Sequence, residues 1–104
     1  IVVPVFNEQD NLPELHSRLS AVIASVKDSR FEVIMIDNGS SDNSPQVCRA
    51  IVAKEAGWRY LRFSRNFGIE ASFYAGAVNA RGDALICLFS DLQDPPEEIP
   101  KLIA

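Results

Sequence analysis

The stretch FEVIMIDNGSSD occupies residues 31–42 and changes character halfway along its length. Its first part is apolar and rich in β-branched side chains, which is typical of a strand buried on both faces of a sheet. Its second part consists of Asp, Asn, Gly and Ser, the residue types that form tight turns. The stretch therefore predicts a buried strand over residues 31–37 that runs directly into a polar turn.

Three more short apolar segments follow the same plan, at residues 1–6, 58–63 and 84–89. Between the segments, apolar side chains recur at helical spacing. Helices are expected to begin near Leu12, Pro45, Ile69 and Pro95, with a kink or restart at Pro100. The alternation of strands and helices predicts the α/β class, with a Rossmann-like parallel sheet of about four strands and helices on both faces.

The composition is that of one soluble domain. The chain has 104 residues, of which 47% are hydrophobic and 23% are charged, as in an ordinary globular unit. A formal net charge of -4 argues against a general surface for nucleic acid or anionic membranes. Both ends of the chain fall within structured segments, so it is expected to be a piece of a longer protein. Cys48 and Cys87 are expected to be small buried hydrophobic residues.

Polar side chains gather where the four predicted strands end. In sheets of this class, ligands bind beyond the carboxyl ends of the strands. The candidate site therefore comprises four loops, at residues 7–11, 37–42, 64–68 and 90–94. They bring carboxylates, amides and one arginine to a single edge of the sheet. Loops of this kind are also ordinary turns and helix caps, so each residue taken alone is more typical of a structural role.

Individual residues in these loops carry specific hypotheses with open alternatives. Asp91 and Gln93 point to the same side of an extended stretch and suit Mg²⁺ or Mn²⁺, although spacing alone favours a turn carboxylate. Asp37 can accept hydrogen bonds from a base or ribose, or from its own turn amides. Arg65 can hold a phosphate, or lie in solvent. Asp94 is better explained as a helix cap.

Five motifs together resemble a known family. They read VVPVFNE at 2–8, DNGSSD at 37–42, SRNFG at 64–68, ARGDA at 80–84 and DLQDPPE at 91–97. In order and spacing they resemble the family 2 glycosyltransferases, and in particular the polyprenyl-phosphate sugar transferases, the group that contains dolichol-phosphate mannose synthase. The resemblance covers nearly the whole chain, and the run at residues 91–97 is its most specific part.

The resemblance implies a GT-A fold and an inverting transfer of a sugar from a UDP- or GDP-sugar to a polyprenyl (dolichol or undecaprenyl) phosphate. Residues 1–104 would form the donor-binding part, inactive alone. The acceptor-side catalytic residues and any membrane segment would lie outside this piece, with the full protein at the cytoplasmic face of a membrane. Nucleic acid is not an expected partner. Asp91 and Gln93 would hold Mg²⁺ or Mn²⁺. The nucleotide would contact Pro4, Phe6, Glu8, Asp37, Asn38, Arg65, Ser90 and Asp91.

Two positions depart from the family pattern. Asn38 stands where the second of two aspartates is usual, and Phe89 stands where the usual Asp-x-Asp begins. These departures favour an alternative hypothesis, a catalytically inactive homologue that acts as a binding or scaffolding module. Two unrelated classes are disfavoured. A dinucleotide binder needs a Gly-x-Gly-x-x-Gly loop after the first strand, and a receiver domain needs an aspartate where the third strand here runs into Phe63.

Overall fold

The structure is a computed structural model that describes residues 1–92 and 95–103. The first three strands and the first three helices begin within two residues of their predicted starts, whereas the last helix, expected near Pro95, begins at Ile99. The strands are β1 (Val2–Val5), β2 (Val33–Asp37) and β3 (Trp58–Arg62), and the helices are α1 (Leu12–Ser25), α2 (Ser44–Lys54), α3 (Ile69–Asn79) and α4 (Ile99–Ile103). A single 3-10 turn at Pro96–Glu98 precedes α4, which agrees with the restart expected around Pro100.

The three strands form one parallel sheet in the order β1-β2-β3. Val3 lies opposite Met35, and Met35 lies opposite Tyr60. Every residue of β2 is buried because this strand has a neighbour on both sides and helices above and below, which accounts for its unbroken apolar sequence. The predicted α/β class and parallel sheet are confirmed.

The prediction of a fourth strand over residues 84–89 was wrong in its extent. The segment makes one isolated parallel bridge, between Cys87 and Val2 on the free edge of β1. It is held there by hydrogen bonds from Val2 N to Ile86 O (2.8 Å) and from Leu88 N to Val2 O (2.9 Å). Among the described residues no strand pairs with its other side, so only a short piece of it is extended against the sheet.

Side chains alternate between the two faces of the sheet, and each face packs against a different apolar cluster. Val3, Val33 and Met35 belong to a large apolar core shared with α1, α2 and α4. Ile34 and Ile36 face the other way into a smaller cluster that includes side chains of α3. Helices therefore lie on both faces, as predicted. None of the helices within the described ranges is long and apolar enough to cross a membrane.

The two cysteines differ from each other. Cys48 is fully buried in the larger core, as predicted. Burial, aided by the nearby Asp37 and Asp42 carboxylates, raises the pKa of its thiol to about 12, so the thiol stays neutral. The prediction that Cys87 is buried was wrong. Cys87 is exposed because its segment is covered by the sheet on one side only.

Close packing of α3 on β1 depends on Gly76. A Cβ atom at this position would lie 2.7 Å from Cγ2 of Val2, well inside contact distance. We predict that Gly76→Ala destabilises the chain by about 1–3 kcal/mol through overpacking, although alanine is the better helix former. The measurement is the free energy of unfolding in denaturant.

Gly82→Ala is the matched control for this substitution. Its added Cβ would meet Ala84 O at 3.6 Å, an ordinary contact, and its free energy of unfolding is expected to stay near that of the unaltered chain. A Gly76→Ala chain as stable as the Gly82→Ala chain would show that α3 does not pack as closely as described.

Candidate functional site

The order of the strands creates a crevice at the carboxyl edge of the sheet. The chain moves outward from β1 to β3 and then returns to the opposite side of β1 with residues 86–88. The loops that follow β1 and residue 88 therefore leave the sheet on either side of a gap, which is where α/β sheets bind their ligands. Six of the predicted site residues line this crevice, namely Pro4, Phe6, Glu8, Asn38, Ser90 and Asp91.

The other predicted site residues lie elsewhere. Asp37 and Arg65 do not line the crevice, and Gln93 and Asp94 lie outside the described residues. Arg65 is exposed, with its guanidinium carbon 4.5 Å from the centre of the Phe67 ring. A cation stacked on an aromatic face keeps its charge available to an incoming anion. The nucleotide and metal roles assigned to all these residues stay predictions.

The Asp37 carboxylate is fully buried and binds neighbouring protein groups. One oxygen accepts a hydrogen bond from Ser40 N at 2.8 Å, and the other accepts one from the Tyr60 hydroxyl at 2.6 Å. Burial, together with this hydrogen bond and the charge of Asp37, raises the pKa of Tyr60 above its usual value, so the phenol remains a donor. Asp37 thus fixes the start of the turn after β2 against β3.

The turn after β2 is also joined to the loop after β1. Asn7 Oδ1 accepts from Ser41 N at 2.8 Å, and the backbone amides of Asn7 and Glu8 donate to the hydroxyls of Ser40 and Ser44, each at 2.9 Å. Asn7 adopts a φ of 53°, a left-handed conformation that asparagine tolerates better than most residues. Side chains and amides of the two loops therefore set their relative position.

Asp42 completes this junction. It accepts hydrogen bonds from Ser44 N at 2.8 Å and from Gln9 N at 3.3 Å. Partial burial acts to raise the pKa of this carboxyl, but the hydrogen bonds outweigh it and hold the pKa below its usual range. Asp42 is therefore ionised near neutral pH and serves the loop structure.

On its other side, the turn after β2 touches the loop after β3. A Cβ atom on Gly39 would lie only 2.6 Å from the carbonyl carbon of Arg65 and 2.8 Å from Asn66 N. The φ of Gly39 is 80°, which side chains rarely allow. Glycine is therefore required here on two grounds, and the backbones of the two loops lie in direct contact.

The crevice is acidic and partly apolar. Glu8 and Asp91 supply carboxylates, and no lysine or arginine occurs among the described residues that line it. The rings of Phe6 and Phe89 are 44% and 40% exposed, enough to offer an apolar face to a planar ligand. An anionic ligand would be repelled by this lining unless a cation accompanied it.

Sequence reasoning missed four residues of the crevice wall, namely Val5, Ile69, Ser72 and Phe89. Phe89 was noted only as a departure from the family pattern, whereas its side chain lines the crevice together with Ile69 and Ser72. Ser72 is fully buried on α3, and its hydroxyl finds no partner among the described residues. Nothing in the local sequence marks Ile69 and Ser72, because only the packing of α3 beside β1 brings them to the crevice.

Tyr60 was also missed, and its hydroxyl supports a testable prediction. Tyr60→Phe leaves one oxygen of the buried Asp37 carboxylate without its hydrogen bond. Because hydrogen bonds to charged groups contribute more than neutral ones, we expect a loss of about 1.5–3 kcal/mol in the free energy of unfolding. The control is Tyr74→Phe, which alters a side chain that is 74% exposed and should have almost no effect. Equal stability of the two variants would contradict the assignment.

The geometry defines a class of protein. A parallel α/β sheet with a crevice at the point where its strand order reverses is the arrangement in which open α/β proteins bind their ligands. The comparisons with known proteins then give the family: the chain belongs to the family described as Glycosyl transferase family 2, whose profile matches residues 1–104.

Relatives of known name are longer than this chain. An undecaprenyl-phosphate 4-deoxy-4-formamido-L-arabinose transferase of Pseudomonas fluorescens is 42% identical over 105 residues, a match that covers 100% of this chain and 31% of the relative. The transferase of the same name from Klebsiella pneumoniae is also 42% identical, with 100% and 32% covered. The chain thus spans about a third of the length of these relatives.

A solved structure confirms the fold. The crystal structure of S. aureus TarS 1-349 superposes with a TM-score of 0.73 at 20% sequence identity, over 97% of this chain and 29% of that one. The expected GT-A fold is therefore confirmed.

Proposed function

We propose that this chain is the donor-binding part of a glycosyltransferase that transfers a sugar from a nucleotide-diphosphate sugar to a polyprenyl phosphate. Family membership supports the transfer of a sugar. The names of the relatives support a polyprenyl phosphate as the acceptor. The observation that carries the proposal is the acidic crevice at the reversal of the strand order, lined by Glu8, Asn38 and Asp91.

A divalent cation accounts for an acidic site that receives a diphosphate. The described lining carries two negative groups and neither lysine nor arginine, so it would repel the ligand. A cation between the carboxylates and the diphosphate reverses the sign of that interaction. No group of three or more potential ligands among His, Cys, Asp and Glu occurs in the described part of the chain. Magnesium sites built from one or two carboxylates plus substrate phosphates need no such group.

The residues present fit that role. Asp91 offers a carboxylate at the crevice, and Glu8 offers a second one from the loop after β1. We assign Asp91 as the principal ligand of Mg²⁺ or Mn²⁺, with Gln93 as its expected companion. When bound, the ion would stabilise the negative charge that develops on the departing nucleoside diphosphate.

A phosphate acceptor does not require the protein to supply a strong general base. The bond between the anomeric carbon and the diphosphate oxygen breaks as an oxygen of the acceptor phosphate attacks from the opposite side, which inverts the configuration. A phosphate monoester has a second pKa of about 6, so this oxygen is already ionised near neutral pH and needs no strong general base. We assign the acceptor-side groups and the attachment at the cytoplasmic face of a membrane to parts of the protein outside these residues.

Titration of the full-length protein with UDP and GDP, with and without Mn²⁺, tests the proposal. We expect one of the nucleotides to bind at least about tenfold more tightly with the cation, a difference of about 1.4 kcal/mol. Asp91→Asn should remove that gain, because it removes the carboxylate charge.

Asp83→Asn is the control, since Asp83 lies in a separate cavity beside Arg81 and Ile86 and its loss should change nothing. Cation-independent binding, or binding that Asp91→Asn leaves intact, would count against the proposal.

A second candidate function follows from Phe89 and Asn38. With a phenyl ring and an amide in place of two usual carboxylates, the chain can be an inactive homologue that binds a ligand without transferring sugar. Sugar transfer by the full-length protein that is abolished by Asp91→Ala rules this out. Nucleotide binding without any transfer would favour it.

A further inference from the structure

We propose that Asn38 and Asn66 form an amide pair that positions the start of α3 against the crevice, so that Asn38 is a positioning residue for donor binding. The inference rests on the proposed function, because the ligand it concerns is the nucleoside diphosphate of the donor. It accounts for the asparagine at a position where an aspartate is usual.

The pair is defined by three short hydrogen bonds. Asn38 Nδ2 donates to Asn66 Oδ1 at 3.0 Å, and Asn38 Oδ1 accepts from Phe67 N at 3.0 Å. Asn66 Oδ1 accepts a second hydrogen bond, from Gly68 N at 2.8 Å. Asn38 is 6% exposed. Its amide therefore uses both its donor and its acceptor inside the protein.

The two asparagines have different requirements. Asn38 must donate and accept at once, which only an amide does at this size. Asn66 only accepts, through one oxygen. An aspartate at position 66 would therefore keep both of its hydrogen bonds, and a carboxylate acceptor would strengthen them. An aspartate at position 38 would lose the donor and face the oxygen of Asn66, which repels it.

The pair acts on the crevice through the residues that follow it. Phe67 and Gly68 lead directly into Ile69, the first residue of α3, which lines the crevice. Gly39 holds the backbone of the same loop close on its other side. The loop is thus fixed by contact at Gly39 and by hydrogen bonds at Asn38, and these fix the distance between α3 and the loop after β1.

The charge of the crevice gives a second reason to expect weaker donor binding with an aspartate at position 38. Glu8 and Asp91 already give the crevice two carboxylates. A third at position 38 would add repulsion toward a diphosphate in a partly buried place, where charges are poorly screened. Restoring the usual pair of aspartates is therefore expected to weaken donor binding, contrary to what the family pattern alone would lead one to expect.

The experiment uses the full-length protein and compares Asn38→Asp with Asn66→Asp. The dissociation constant for UDP and for GDP is measured with Mn²⁺, together with the exchange rates of the Phe67 and Gly68 amide protons. We expect Asn38→Asp to raise the dissociation constant about tenfold or more, to raise KM for the donor more than it lowers kcat, and to speed both exchanges. Asn66→Asp, which keeps the hydrogen bonds, should stay within about threefold of wild type.

Several outcomes overturn the inference. The inference is wrong if Asn38→Asp binds the nucleotides as tightly as the wild-type protein. It is also wrong if Asn66→Asp loses as much nucleotide affinity as Asn38→Asp. If Asn38→Asp does not fold, Asn66→Ala removes the acceptor from an exposed loop instead. It is expected to weaken nucleotide binding and to speed the amide exchange in the same way. Unchanged nucleotide binding in Asn66→Ala would contradict the positioning role of the pair. A wild-type protein that binds neither nucleotide, while its Phe67 and Gly68 amides remain protected, contradicts the proposed function and the binding role of the pair together.

Discussion

The hydrogen bonds of the buried Asp37 carboxylate hold the functional edge of this sheet together. A charge without contact to water is costly unless it is paired or fully hydrogen-bonded. Here Ser40 N and the Tyr60 hydroxyl meet that requirement, at 2.8 and 2.6 Å. Because these donors come from the turn after β2 and from β3, satisfying the carboxylate also fixes the position of the turn on which the neighbouring loops depend.

The turn after β2 then organises both sides of the edge. Toward β1, Asn7 and the hydroxyls of Ser40 and Ser44 join it to the loop that carries Glu8. Toward β3, Asn38 and Gly39 join it to the loop that leads into α3. Preorganised loops of this kind reduce the conformational entropy that a ligand must overcome on binding. An acidic crevice held in one shape is suited to an anion that arrives with its own cation.

Much of this arrangement could be predicted from the sequence. Short apolar runs predicted the strands, and apolar residues at helical spacing predicted the helices. The rule for parallel sheets then located the loops that line the crevice. The fourth strand was overestimated because an apolar run such as residues 84–89 does not reveal how many neighbours it has. Local sequence also marks neither Tyr60 nor Ser72, since their roles come from residues more than twenty positions away along the chain or from helix packing.

Asp37 shows the limit of pattern reasoning most clearly. Residue type alone allows two roles for Asp37, a contact with the ligand or a carboxylate that stabilises its own turn. The hydrogen bonds to Ser40 and Tyr60 favour the role in the turn, and contact with the ligand stays a prediction. Asn38 was equally ambiguous, because only the geometry of Asn66 and Phe67 reveals that an amide is needed there. Spacing identifies which loops meet, whereas the direction of each donor and acceptor emerges only when the loops are packed together.

We propose that the carboxyl edge of the sheet, at Glu8, Asn38 and Asp91, holds a nucleoside diphosphate with a divalent cation. Paramagnetic broadening of backbone amide signals by Mn²⁺, recorded on the protein with saturating UDP or GDP, tests it most directly. We expect the strongest broadening at Ser90 and Asp91, weaker broadening at Glu8 and Asn38, and sharp signals around Arg30 and Arg81 in the second cavity. Broadening centred on that second cavity, or none at the carboxyl edge, would contradict it.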